Sequence, residues 1–240
     1  MSAVTLGLMA VTLALAAMAQ RVTGFGLALV SSPLLVVLGP STAVPLLQVL
    51  GIVTAGLILV RVYRDVEWVK LPWLLVSALV GVWLGAWIAG LVAGPLLEVF
   101  AGVLVVGAVL ATVVSDRARV FTGRGGAAAA GWLAGFMNAI AGVGGPAMVL
   151  YKLSINWPQR PFVATLQVFF LCLSVFTLVA RGWPQLDARS WVVGVAGLVA
   201  GLVAGGALAG RMSEDLARIL VVIVALGGGA ATLVHGVAAL

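Results

Sequence analysis

A chain of 240 residues that is 63% hydrophobic and only 8% charged, with a mean hydropathy of +1.25, is not a soluble domain, where about a quarter of residues carry charge. Its net charge of +6 comes from Lys and Arg spread through short loops rather than gathered in a patch, so it argues against nucleic acid as a partner and reads as a topology signal. One cysteine (Cys172, mid-helix), one histidine (His235) and no acidic cluster exclude an intrachain disulfide and argue against a protein-liganded metal; no cofactor is expected.

The first apolar run, 3–20, ends in Ala17-Met18-Ala19, which resembles a signal-peptide cleavage site. No positive segment precedes it, and the first basic residue, Arg21, follows it. Those flanks predict a retained first helix with its N-terminus outside. Gly24-Phe25-Gly26 then interrupts the apolar stretch. Residues 24–39 would make a helix of about 24 Å, short of a hydrocarbon core of about 30 Å. The pair 3–20 and 24–39 is therefore either a re-entrant hairpin or two short spans packed inside the protein. In a hairpin Arg21 is intramembrane and a candidate anion ligand, since burying it costs at least about 2.5–3.5 kcal/mol unless it is paired or hydrated. If the segments span, Arg21 is a cytoplasmic anchor.

Runs at 42–60, 69–90 and 96–114 each approach the roughly 20 residues needed to span. Gln48 lies deep in the first of them. Gly81 and Gly85 in the second have the spacing of close helix packing. Glu98, in the first turn of the third, is the one acid that enters an apolar run, and a helix N-terminus favours it. Residues 115–126 concentrate charge and glycine and read as a linker. The second half repeats the order: 127–141 and 142–154, broken at Gly142-Val143-Gly144-Gly145-Pro146, then runs at 159–180, 190–210 and 217–237. Asn138, Thr165 and Gln167 are its intramembrane polar residues. Trp68, Trp73, Trp157, Trp183 and Trp191 lie near segment ends, as an interfacial belt would place them, whereas Trp83, Trp87 and Trp132 read as deeper packing residues.

The halves, about 3–114 and 127–237, align. Gly24 matches Gly142, Gln48 matches Gln167 and Gly85 matches Gly205, at offsets of 118 to 120 residues. The prediction is one membrane domain over 1–240, all-α and polytopic, made of two repeats. Each repeat has a broken or re-entrant helix pair plus three full transmembrane helices. An odd number of crossings per half makes the repeats inverted. Ten loop cations (Arg61, Arg64, Lys70, Arg117, Arg119, Arg124, Lys152, Arg160, Arg211, Arg218) fall on one side and two (Arg181, Arg189) on the other. The first side is then cytoplasmic, and both termini lie outside.

Interrupted segments at matching places point to a secondary transporter and its binding site. A helix that restarts within the membrane exposes unpaired backbone N–H groups, which with the helix dipole attract an anion without any Lys or Arg. Gln48, Asn138, Thr165 and Gln167 have no water to satisfy them and need partners across helices or a polar cavity. Ser31 and Ser32 are weaker candidates, because a serine back-bonds to its own helix. Cation carriers need buried carboxylates, and Asp65, Glu67, Asp116, Asp187, Glu214 and Asp215 all fall in loops or at helix ends, so the substrate is an anion. The candidate binding set is Arg21, Gly24, Gly26, Gln48, Asn138, Gly142, Gly144, Gly145, Thr165 and Gln167.

The Gly24-Phe25-Gly26 and Gly142-Val143-Gly144-Gly145 breaks, the stretch Pro33 to Gly39, Ala164-Thr165-Leu166 and the loop Asp65-Val66-Glu67-Trp68 together resemble the sulfite exporter TauE/SafE family. Leu27, where a further glycine is common, and Pro45-Leu46-Leu47 depart from its pattern. The resemblance covers essentially the whole chain. It implies a non-enzymatic, multi-pass inner-membrane exporter of sulfite, sulfoacetate or a related organosulfur anion. The implied partners are that anion and the lipid bilayer, and a homo-oligomer is compatible with this reading. The alternatives are uptake of a sulfur oxyanion, a non-transporting membrane subunit and an intramembrane enzyme. Proteolysis would need a Ser–His pair or two aspartates in the core, which His235 and the loop aspartates do not supply.

Overall fold

A chain this apolar can satisfy its backbone in lipid only through helices or a closed barrel. The computed structural model describes residues 3–23, 26–31, 38, 40–92, 94–114, 121–208 and 214–240, and no strand occurs among them. The helices are α1 (Ala3–Thr23), α2 (Gly26–Val30), α3 (Pro40–Val62), α4 (Leu71–Leu91), α5 (Pro95–Val114), α6 (Gly123–Ala141), α7 (Gly145–Ser154), α8 (Gln159–Arg181), α9 (Ala188–Leu208) and α10 (Glu214–Ala238). Two 3-10 turns, Tyr63–Asp65 and Trp68–Lys70, join α3 to α4.

Over its described residues every predicted spanning run is helical, with two corrections. The first members of the broken pairs are not short: α1 has 21 residues and α6 has 19, about 30 Å each at 1.5 Å per residue. No Gly or Pro interrupts Gln20-Arg21-Val22-Thr23, so α1 runs past the expected end at residue 20. In the same way Gly123–Gly126, read as linker, form the first turn of α6. The short members are α2, with 5 residues, and α7, with 10. Five helical stretches among the described residues are long and apolar enough to cross a membrane: Ala3–Gln20, Ser41–Asp65, Trp68–Leu91, Gln159–Arg181 and Ala188–Ala207. The other two expected spans are α5, with 20 residues, and α10, with 25, whose described apolar stretches are Pro95–Ala111 and Val222–Ala238.

Glycine sets the closest helix contacts. A Cβ on Gly81 would lie 2.1 Å from the Trp132 carbonyl oxygen, and one on Gly85 would lie 2.7 Å from that of Phe136, so α4 and α6 touch backbone to backbone. Gly201 approaches the Ala14 carbonyl just as closely, and Gly197 that of Ala10, which joins α9 to α1. The packing reading of Gly81 and Gly85 therefore holds, and Gly201 plays the same part between α9 and α1. These two interfaces are related by the same sequence offset as the motifs: α4 on α6 matches α9 on α1. The remaining large interfaces pair α3 with α8 and α5 with α10.

Large apolar side chains cover the outside, among them Leu8, Val11, Leu57, Val60, Val76, Val80, Val179 and Val203, while Gln48, Asn138 and Gln167 are buried. An apolar exterior over a largely apolar core departs from the surface of a soluble protein and fits a lipid-facing surface. Trp83 (53% exposed) and Trp87 (63%) belong to that surface, not to the interior as expected. Their positions on α4 face away from the Gly81–Gly85 stripe that packs on α6. Trp68, Trp73 and Trp183 are exposed as a belt requires, but Trp157 is buried.

Candidate functional site

The second glycine break is a true interruption. Gly142 ends α6 with φ +73°, and its N–H donates to the Asn138 carbonyl at 2.8 Å. This left-handed stop needs glycine. The chain re-enters helix at Gly145, with Pro146 in the first turn, where its missing N–H costs nothing. At the first break α1 ends at Thr23 and α2 begins at Gly26. Gly24 lies outside the described residues, as do the side chain of Arg21, in the last turn of α1, and that of Ser32.

Residues flanking the first break, Gln20 and Leu27, and residues of the second line one cavity of about 40 Å³. One water needs about 10–15 Å³ of such space, so the cavity suits about three waters or one small oxyanion. Its polar lining comes from Gln20 on α1, Gln48 on α3, Asn138 on α6 and Ser174 on α8, with Gly51, Gly142 and Gly144 supplying backbone. None of its described lining residues is charged. Gln20 and Asn138 are each 5% exposed and Gln48 2%.

Buried amides must find partners, and these do so across helices. Asn138 Nδ2 donates to Gln48 Oε1 at 3.0 Å and to Thr177 Oγ1 at 2.8 Å. Gln48 Nε2 donates to the Val44 carbonyl one turn back, at 3.3 Å. The Leu27 N–H donates to Gln20 Oε1 at 3.0 Å, so a side chain of α1 satisfies one free donor of α2. The structure thus brings together Gln48, Asn138, Gly142 and Gly144 from the candidate set, with Gly145 beginning the helix beside them and Gly26 the helix that carries Leu27.

Thr165 and Gln167 do not line this cavity. Gln167 is fully buried on α8 and its Nε2 donates to the Val163 carbonyl at 3.2 Å. Thr165 serves the α3–α4 loop: its Oγ1 accepts the Glu67 N–H at 2.9 Å and donates to the Pro161 carbonyl at 2.7 Å. Glu67 also accepts from Trp157 Nε1 at 3.1 Å and pairs with Lys70. The Lys70 ammonium sits 4.7 Å from the Trp157 ring centre. Arg160 Nε reaches Asp65 Oδ2 at 2.9 Å. The loop is therefore clamped onto the α7–α8 junction, which explains why Trp157 is buried. Ser31 is buried as well, and its hydroxyl has no hydrogen-bond partner among the described residues.

Sequence reasoning missed Gln20, Ser174 and Thr177. Gln20 carried a usable signal, because it precedes Asn138 by 118 residues, the offset that relates Gly24 to Gly142. Ser174 and Thr177 carried none, since a hydroxyl in an apolar helix most often back-bonds to its own turn.

Comparison with curated proteins found no match, and comparison with solved structures found none either. The profile of one family, described as sulfite exporter TauE/SafE, matches residues 9–232, a span that contains every residue of the cavity. The chain belongs to the sulfite exporter TauE/SafE family.

Proposed function

We propose that this protein exports a small sulfur oxyanion across the inner membrane, by alternating access of a site at the two glycine breaks. The family implies a membrane transporter of sulfur anions; the site and the direction go further. The observation that carries the site is convergence. Gln20, four residues before the first break, and Asn138, four before the second, line the same cavity.

Amide N–H groups there, with the main chain at Gly144 and Gly145 where α7 restarts, supply partial positive charge in a region of low dielectric. Uncharged donors hold an oxyanion without trapping it, and a carrier must release its cargo. Arg21, Gly24 and Gly26, at the first break, belong to the same proposed binding set, while Thr165 and Gln167 act on the loop and on α8. The recurrence of helix interfaces at one sequence offset supports two repeats within a single domain. The ten-to-two loop charges support their inversion, with both termini outside. Direction follows from energetics: an inside-negative potential favours exit of each negative charge by about 2.3 kcal/mol per 100 mV. Membership of a transporter family supports a non-enzymatic role.

Radiolabelled sulfite flux in vesicles of known orientation tests this reading. The expected result is movement from the cytoplasmic side outward, driven by an inside-negative potential and abolished in Gln48→Leu. Inward accumulation against the potential would contradict it.

A further inference from the structure

We infer that the cavity takes its ligand with one proton attached, as a singly charged acid oxyanion such as hydrogen sulfite, and discriminates against the dianion. This rests on the site proposed above. Hydrogen-bond arithmetic carries it. A carbonyl oxygen can only accept, so it is Gln48 Nε2 that faces Val44, and Gln48 Oε1 that faces Asn138. That orientation obliges Asn138 to present Nδ2 to Gln48, and its other N–H goes to Thr177. A primary amide has two N–H donors and one carbonyl acceptor. Both donors of Asn138 are committed, so what it has left for a ligand is Oδ1.

Gln20 is fixed in the opposite sense. A backbone N–H can only donate, so Oε1 faces Leu27 and the two Nε2 hydrogens remain. Gln48 keeps one. Among its amides the cavity therefore offers donors from two glutamines and an acceptor from one asparagine, on three side chains that are each at least nine-tenths buried, beside the Ser174 hydroxyl, which can donate or accept. A fully deprotonated oxyanion has acceptors alone and would meet Asn138 Oδ1 oxygen against oxygen. Its acid form supplies the missing O–H donor. Charge points the same way: no charged side chain is among the described lining residues. Desolvation cost grows as the square of the charge, so a dianion meets about four times the penalty of a monoanion.

The test is calorimetric titration of the purified full-length protein with sulfite at pH values spanning the ligand's second ionisation. Methanesulfonate, a monoanion without an O–H, and sulfate, a dianion throughout, serve as comparison ligands. Above that ionisation the apparent Kd for sulfite rises about tenfold per pH unit, as loss of one required proton dictates. Methanesulfonate and sulfate bind at least about tenfold more weakly than hydrogen sulfite, the cost of one unsatisfied buried acceptor. A Kd for sulfite that is flat or falls above the ionisation, or sulfate binding as tight as sulfite, overturns the protonation claim. If that binding is still lost in Gln48→Leu, the site survives without it. Failure of every anion to bind at any pH overturns both.

Discussion

The side chain of Asn138 donates to that of Gln48 at 3.0 Å across 90 residues of sequence. This bond ties the end of α6, just before a left-handed glycine, to the middle of α3. It is also the link between the break and the cavity wall. Asn138→Ala would leave Gln48 Oε1 and Thr177 Oγ1 without their donor. The expected loss is about 1–3 kcal/mol of stability, the cost of stranding buried polar groups. In a double-mutant cycle with Gln48→Ala the coupling should be about 0.6–1.7 kcal/mol, the range of interhelical hydrogen bonds in membranes. Reversible unfolding in mixed micelles measures both.

Gly142 adopts φ +73°, and a Cβ there would approach Leu47 Cδ1 to 3.1 Å. Gly142→Ala is expected to cost about 1–2 kcal/mol from backbone strain and to weaken anion binding, because Gly142 and Gly144 line the cavity. Gly90→Ala, at a helical glycine with nothing within 4 Å, is the control and should be neutral or slightly stabilising. Thermal unfolding with and without sulfite separates the two effects.

Gly81→Ala fails for a different reason. Its Cβ would fall 2.1 Å from the Trp132 carbonyl oxygen, where backbone cannot yield. α4 and α6 must then separate, and the loss should exceed about 3 kcal/mol, beyond ordinary overpacking. Poor recovery of folded protein by size-exclusion chromatography is the expected outcome.

Thr165→Val removes the acceptor of the Glu67 N–H and loosens the α3–α4 loop from α8. Because Thr165 lies off the cavity, sulfite affinity should stay within about twofold, while Trp157, held by Glu67, becomes more accessible to an aqueous quencher. A large loss of affinity with unchanged quenching would move Thr165 into the binding site.

Asp187 caps α9, accepting the Ser190 N–H at 3.2 Å. Its hydrogen bonds with Ser190 hold the carboxyl below its ordinary value. The cap therefore stabilises fully above the unfolded-state value of about 3.9. That contribution fades as pH falls through the lowered folded value. Asp187→Asn should lose this acid-side dependence, as pH-resolved thermal unfolding would register.

The helical, lipid-embedded character of the chain was legible because composition and run length leave a bilayer chain few options. The glycine breaks were legible through their repetition, and Gly142 turned out to sit at a left-handed stop. Helix lengths at the breaks were not, since nothing in Gln20 to Thr23 marks a boundary before Gly24. The cavity was partly legible. Gln48 and Asn138 stood out as polar residues in apolar runs, but an equally buried Thr165 answers to a loop backbone 98 residues away. Burial alone does not say which neighbour satisfies a hydroxyl. Trp157 shows the same limit, because its position near a segment end fits a lipid belt until Glu67 is seen bonded to its ring.

The most direct measurement is the sulfite-induced shift in Tm of the purified protein, compared among wild type, Gln20→Leu, Gln48→Leu and the double variant. A clear upward shift is expected in wild type, a reduced one in each single variant and none in the double. An undiminished shift in the double variant would show that sulfite binds elsewhere and that the converging breaks are structural only.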